Sequence, residues 1–244
     1  MLLSWKHKFL FIHVAKTGGT ALSQALTPYA RFEDRLAYDG LGVPGMKKAL
    51  GLAARGGDAI EKFSGLHAHA RYYEIENAFG KDKLDPLFKF AFVRNPYTRT
   101  YSLYSHLRRT PGHHWYSLIK DQSFEEALPL MIEQDWVTQA PFFCQMPRRE
   151  MRVNFVGAFE AMGRDVAHVE RRTGLEEKLK LERVNFDPKP MPRLRDLFGD
   201  QFKPFRKATR HEFEMFGYSM NINHAHMPPE TGAVACSVEK PETA

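Results

Sequence analysis

The sequence predicts an α/β fold: a three-layer sandwich with a central parallel sheet and helices on both faces. Three observations predict it. Apolar runs of strand length recur in KFLFIHV (8–14), LFKFAFV (87–93) and RVNFVGAF (152–159). Stretches with helical spacing separate them, and strands alternating with helices imply parallel pairing. Finally, 244 residues, 43% of them hydrophobic, suffice for one domain with a sizeable core.

Taken in order, the first run feeds AKTGGT and then ALSQAL at helical spacing, stopped near Pro28. Residues 38–58 are glycine-rich and read as loop with one short helix. KFSGLHAH (62–69) reads as a short strand, and ARYYEIENAFG as a helix ended by Gly80. After the second strand, Asn95-Pro96 turns the chain into a helix through RNPYTRTYSLYSHLRR (94–109), with proline at a favoured first helical position. Ser123 and Glu126 form a capping box for a helix that reaches Gln134. The third strand leads into EAMGRDVAHVERRTG, a helix with Gly174 at its end. FDPKPMPR (186–193) is a proline-punctuated loop, and residues 199–218 are mostly helix. One domain is thus expected over 1–218, with 219–244 a polar, mobile tail.

The formal net charge of +6 suits an anionic ligand: nucleotide, phosphate ester, acidic sugar, nucleic acid or membrane surface. No run of five basic residues occurs, so a nucleic-acid partner is not expected. Two cysteines build neither a disulfide framework nor a zinc site, which favours a reducing compartment. FLFIHV is far too short to span a bilayer, and no signal-peptide pattern precedes it. A soluble, cytoplasmic protein is expected, or one trimmed of an anchor.

Ligands of parallel sheets bind at the carboxyl ends of the strands, and the chemistry-bearing residues fall there. FIHVAKTGGTALSQAL (11–26) is a strand, a glycine turn and a helix, so backbone N–H groups and a helix N-terminus converge beside Lys16. On the glycines alone an ordinary βα turn is the simpler reading. Their place after the first strand of a basic α/β chain favours an anion site. An ATPase loop has its lysine after the glycines, next to a magnesium-binding hydroxyl; Lys16 precedes them, so ATP hydrolysis is not supported. In FAFVRNPYTRTYSLY, Arg94 closes a buried strand and Ser102 lies two turns into the next helix. A guanidinium fork suits a phosphate dianion, although a strand-end cap is as good a reading of Arg94 alone. His67 and His69, two apart, share a face if extended. His113 and His114 lie in a loop that could touch the acceptor, with solvated loop the simpler reading, and His224 and His226 read as tail; no ligand set suggests a metal.

Together the two motifs resemble a family. FIHVAKTGGTAL is similar to the 5′-phosphosulfate loop of sulfotransferases that use 3′-phosphoadenosine 5′-phosphosulfate (PAPS). FAFVRNPYTRTYSLYSHL resembles their 3′-phosphate motif. The likeness is to the carbohydrate branch that includes the heparan sulfate 2-O-sulfotransferases and their bacterial relatives. VNFVGAFEAMGRDVAHVERRTGL and HEFEMFGY resemble that group's later segments, so the likeness runs from about residue 8 to 218. It implies a P-loop-like fold, PAPS as cosubstrate and adenosine 3′,5′-bisphosphate (PAP) as product. It implies that Lys16, Thr17, Gly18, Gly19 and Thr20 hold the 5′-phosphosulfate, and that Arg94 and Ser102 hold the 3′-phosphate. GLHAHARYYEI stands where the family carries a histidine, with Ala68 in place of the glycine of its His-Gly-His relatives. That makes His67 the favoured general base and His69 the alternative. The acceptor would be a glycan or another hydroxyl-bearing molecule. The DPKPMPR loop, with Lys189 and Arg193, would close over nucleotide or acceptor. A nucleotide kinase and a non-catalytic binder of polyanions are the rival readings.

Overall fold

Phenylalanine alternates with other residues, all apolar but Lys89, in FLFI and FKFAFV, and alternation of period two puts the two sets on opposite faces of a strand. In the computed structural model these segments pair in one sheet. The structure describes residues 1–30, 66, 68–182, 191–229 and 234–235. Strands β1 (Leu2–Ser4), β2 (Phe9–Ile12) and β3 (Phe88–Val93) precede a separate two-stranded ribbon, β4 (Cys144–Gln145) with β5 (Glu150–Met151). Strands β6 (Phe155–Ala158) and β7 (Val234–Ala235) complete the main sheet, whose order is β1-β2-β3-β6-β7. β2, β3 and β6 are parallel, while β1 and β7 run antiparallel to their neighbours.

The expected parallel sheet is therefore correct at its centre and corrected at both edges. The β1–β2 connection is residues 5–8, a length that only an antiparallel hairpin can bridge. The strand expected at 62–69 falls largely outside the described residues. Its described part is corrected: Leu66 is irregular, and Ala68 and His69 form a turn. Both edges of β2 are already taken by β1 and β3, so no further strand fits beside it.

Nine helices occur among the described residues: α1 (Gly19–Leu26), α2 (Tyr72–Phe79), α3 (Lys81–Leu84), α4 (Pro96–Arg108), α5 (Tyr116–Ile119), α6 (Phe124–Glu133), α7 (Met162–Thr173), α8 (Leu194–Phe198) and α9 (Phe202–Phe216). Ser123 and Glu126 form the expected capping box at α6, and Gly174 ends α7 in the left-handed conformation. On one face of the sheet, Phe9, Phe11, Phe88, Phe90, Phe92 and Phe155 pack under Leu22 and Leu26 of α1 and Val166 and Val169 of α7. On the other, Leu10, Ile12, Ala91, Val93 and Val156 meet Tyr97, Phe198, Phe205 and Phe213. Each such side chain contributes about 1.5–3 kcal/mol of burial. Tyr97 is fully buried among those phenylalanines and donates to the Met220 carbonyl at 2.8 Å, which fixes the start of α4.

Part of the segment expected as a polar tail from 219 packs onto the domain. Ile222 and Ala225 are buried in the core, and Val234–Ala235 extends the sheet. Hydrophobic residues at isolated positions in a polar stretch gave no periodic signal. No described helix is long and apolar enough to cross a membrane.

Candidate active site

Chain reversal after β2 sets the first half of the site. Lys16 has φ 68 and Gly18 φ 80, so the turn uses the left-handed region twice before α1 begins. A lysine there is strained, a cost that recurs at functional turns. Gly18, Gly19, Thr20 and Ala21 line one large cleft, and they include the first turn of α1, whose N–H groups have no intrahelical partner. Lys16 lies half-buried in the same cleft. Burial, then the charges of Arg94, Arg109 and Arg99, bring its ammonium down to about 8. Thr17 is the exception among the loop residues. Its side chain is fully buried and its hydroxyl donates back to the Val14 carbonyl at 2.9 Å, so it shapes the turn.

Gly19 is required by its neighbour. A Cβ there would lie 2.0 Å from Cδ2 and 2.3 Å from Nε2 of His13, whose ring is buried beneath the loop. Gly19→Ala is expected to cost about 1–3 kcal/mol through overpacking, a melting-point loss of about 2–4 °C per kcal/mol. Adding His13→Ala to that variant should return part of the loss, because the obstructing ring is gone. Additive losses in differential scanning calorimetry would show that the two residues do not clash.

The second half lies at the end of β3, the strand parallel and adjacent to β2. Arg94 is half-buried, donates from Nε to the Thr98 hydroxyl at 3.0 Å, and stacks over the Phe159 ring at 4.3 Å. Burial lowers its pKa, but a guanidinium stays charged. Its peptide is clamped by Gln139, whose Oε1 accepts from the Arg94 N–H at 2.9 Å and whose Nε2 donates to the Arg94 carbonyl at 2.9 Å. Gln139 is held in turn by the fully buried Glu212, which accepts from the Gln139 and Ala140 N–H groups at 2.9 and 2.8 Å. Glu160 accepts from the Asn95 N–H at 3.0 Å and the Tyr218 hydroxyl at 2.7 Å, and its charge lies beside Arg94. Arg99, fully buried, donates from Nε to the Ala15 carbonyl at 3.2 Å and from Nη1 to the Trp136 carbonyl. It ties α4 to the first turn. Tyr101, Ser102, Ser105 and His106 of α4, and Arg109 at its C-cap, line the cleft.

Between the two halves stand the histidines. His69 lies at the cleft wall, and its Nδ1 is 2.9 Å from the His13 carbonyl, to which it must donate. In the neutral ring that leaves the lone pair on Nε2. The His13 ring is 4.5 Å from it, and burial holds His13 well below the usual histidine range, with the charges of His69 and Lys16 acting in the same sense. His13 is thus neutral and adds no charge beside His69.

The cleft brings together Lys16, Gly18, Gly19, Thr20, His69, Arg94 and Ser102 among the residues singled out in the sequence. His67 and Lys189 lie outside the described residues. Thr17 is turned inward, and Arg193 starts α8 without lining the cleft. His113 and His114, read as solvated loop, line it as well. Arg99, Gln139 and Glu212 carried no sequence signal of their own. The lining residues enclose about 2200 Å³, against the roughly 300–1,000 Å³ of an ordinary small-molecule site. There is room for two substrates side by side.

Fold and site define an α/β protein with a large, cation-lined cleft at the carboxyl ends of parallel strands. The sulfotransferase family model matches residues 1–219, and the chain belongs to that family. An uncharacterized protein of Archaeoglobus fulgidus is 30% identical over 115 residues, which cover 46% of this chain and 87% of that protein. No solved structure matches the chain. Membership makes the protein an enzyme that transfers a sulfuryl group to an acceptor.

Proposed function

We propose that the enzyme transfers the sulfuryl group of PAPS to a hydroxyl of a carbohydrate or glycoconjugate, by in-line displacement with a histidine base, on a P-loop-like three-layer fold. One observation carries this reading: a single cleft joins a lysine-bearing turn after β2 to an arginine at the end of the adjacent parallel strand β3. Neighbouring strands lie about 4.8 Å apart, so the two cationic groups leave adjacent strand ends and face one cleft, as one nucleotide with phosphates at both ends would need. The chain's groups fit PAPS, whose bound form supplies the sulfuryl group. The N–H groups of the Gly18–Ala21 turn and Lys16 would hold the 5′-phosphosulfate, and Arg94 with Ser102 the 3′-phosphate.

In this mechanism Lys16 stabilises negative charge on the oxygen that leaves with PAP. His69 takes the acceptor's proton on Nε2 as the acceptor oxygen bonds to sulfur and the sulfur–oxygen bond to PAP breaks. The protein otherwise positions the two reactants, as in phosphoryl transfer. The assignment of the base to His69 rather than the initially favoured His67 rests on the His69–His13 hydrogen bond.

Arg94→Ala is expected to weaken PAP binding about ten- to a hundredfold, the usual cost of truncating a charged hydrogen bond. Adenosine 5′-phosphosulfate, which lacks the 3′-phosphate, should bind the variant almost unchanged. Equal losses in calorimetry with the two nucleotides would make Arg94 a support of the fold. The function itself is tested with radiolabelled PAPS and fractionated glycans and lipids, together with thermal shifts by PAP and by Mg-ATP. Stabilisation by Mg-ATP alone, without label transfer, would favour the kinase reading.

A further inference from the structure

One end of the cleft is built unlike the rest. Along α4 and the segment after it the lining carries Arg108 and Arg109 but is otherwise rich in rings: His106, His113, Trp115 and Trp136, with Tyr101 and Tyr104. The indoles of Trp115 and Trp136 stack at 3.9 Å and 19°. Trp136 is nearly buried, and its carbonyl is fixed by the buried Arg99, so it forms a rigid floor on which Trp115 lies half-exposed. A half-exposed indole braced on a buried one presents a flat apolar surface at little conformational cost.

The imidazoles beside it have definite polarity. The Trp115 backbone N–H donates to Nδ1 of His113 at 3.2 Å, so the neutral ring carries its proton on Nε2. At His106 the Thr110 hydroxyl gives its one proton to the His106 carbonyl at 2.8 Å, so toward Nδ1, 3.4 Å away, it can only accept. His106 is thereby protonated on Nδ1 and offers a lone pair on Nε2. The two ring centroids are 6.2 Å apart. One imidazole can donate and the other accept, the pair of roles that neighbouring hydroxyls need. Both rings are neutral: burial, then Lys16, His113 and Arg109, bring His106 to about 4, and burial with His114 lowers His113.

We propose that Trp115, braced on Trp136, and the His106–His113 pair form the acceptor subsite, and that it takes an uncharged sugar ring of a neutral glycan. The indole face meets the ring's C–H face, and the imidazoles meet two of its hydroxyls. His106 and Lys16 line the same cleft, so a ring held here would share the space in which transfer occurs. Charge argues against a uronate or a sulfated ring here. Arg108 is turned to the Tyr104 hydroxyl at 3.1 Å and the Lys120 carbonyl at 3.2 Å, and the Nε of Arg109 to the Ser105 carbonyl at 2.9 Å. Asp135 adds a carboxylate next to Trp136. Of the remaining lining cations, Arg99 is buried on the Ala15 and Trp136 carbonyls, Arg71 lies over the Phe142 ring, and Lys16 and Arg94 are the ones assigned to the nucleotide. The proposal rests on the sulfotransferase reading above and narrows its acceptor.

The test uses the whole protein. PAP binding is measured first, for wild type and for Trp115→Ala and His113→Phe. PAP-saturated protein is then titrated calorimetrically with neutral oligosaccharides of glucose, galactose, mannose and N-acetylglucosamine, and with an unsulfated uronate-containing hexasaccharide. At least one neutral probe is expected to bind in preference to the uronate. Trp115→Ala should weaken that binding about thirtyfold and His113→Phe about two- to tenfold, with PAP affinity kept in both. Preference for the uronate probe, no binding of any neutral probe, or neutral-sugar binding indifferent to Trp115→Ala would each overturn the subsite. Failure of PAP to bind wild type would overturn the PAPS reading instead, and the sugar titrations would still judge the subsite on their own.

Discussion

Lys16→Ala is expected to lower turnover by about 10²–10³, the usual effect of losing one preorganised donor to developing charge. PAP affinity should fall much less, because the N–H groups of the turn and Arg94 remain. The expectation follows from where the chain puts the ammonium: half-buried, at the end of β2, on a left-handed residue that holds it into the cleft. A pH effect accompanies it. The Lys16 pKa is lowered to about 8 from 10.5, so its charge is present below about 8 and is lost as pH rises through that value. An anion bound beside it favours the charged form and raises the pKa again. PAP binding between about pH 8 and pH 10.5 is therefore expected to take up a proton and to weaken as pH rises. Lys16→Arg should abolish both effects, since arginine stays charged. Calorimetry in buffers of differing ionisation heat reads the uptake directly. Near-wild-type turnover in folded Lys16→Ala, or no uptake in wild type, would remove Lys16 from this role.

What the sequence made legible follows from how local each signal is. The β2 turn and the β3–α4 junction could be read because a strand, a turn and a helix start stand within a few residues in each. Gly18, Gly19 and Asn95-Pro96 act on the backbone at the spot where they occur. Arg99 could not be read, because in YTRTYSLY it looks like any helical surface arginine; only the closing of α4 onto Ala15 and Trp136 buries it. Glu212 is 73 residues from Gln139, whose amide it orients, and nothing in HEFEMFGY announces a partner in another segment. The edge strand Leu2–Ser4 is too short for periodicity to register, and the buried Ile222 and Ala225 sit in a stretch polar on average. The cleft lining at 113–115 was legible only as loop, for a related reason. A loop is solvated by default, and only packing against Trp136 turns this one into a wall.

His69→Ala is expected to cost about 10²–10⁴ in turnover while leaving PAP affinity unchanged, the span usual for loss of a general base. A base must hold an available lone pair at the acceptor hydroxyl, and its other nitrogen must be fixed so that the lone pair stays there. The His13 carbonyl supplies that fixing at 2.9 Å from Nδ1, and it sits at the end of β2, just ahead of the Lys16 turn. Base and charge-stabilising lysine are thereby set by one short stretch of backbone. The neutral His13 ring, 4.5 Å from His69, adds packing without a competing charge. His69→Gln should be as inactive as the alanine variant, since an amide can hydrogen-bond but cannot accept the proton. Added imidazole should restore part of the rate to His69→Ala and none to Lys16→Ala. A purely structural role for His69 predicts no such rescue and a lowered melting temperature. Steady-state kinetics on His69→Ala and His67→Ala, once an acceptor is in hand, separates the pair. If His69→Ala stays within tenfold of wild type and His67→Ala is inactive, the base is His67, the residue that the sequence alone favours.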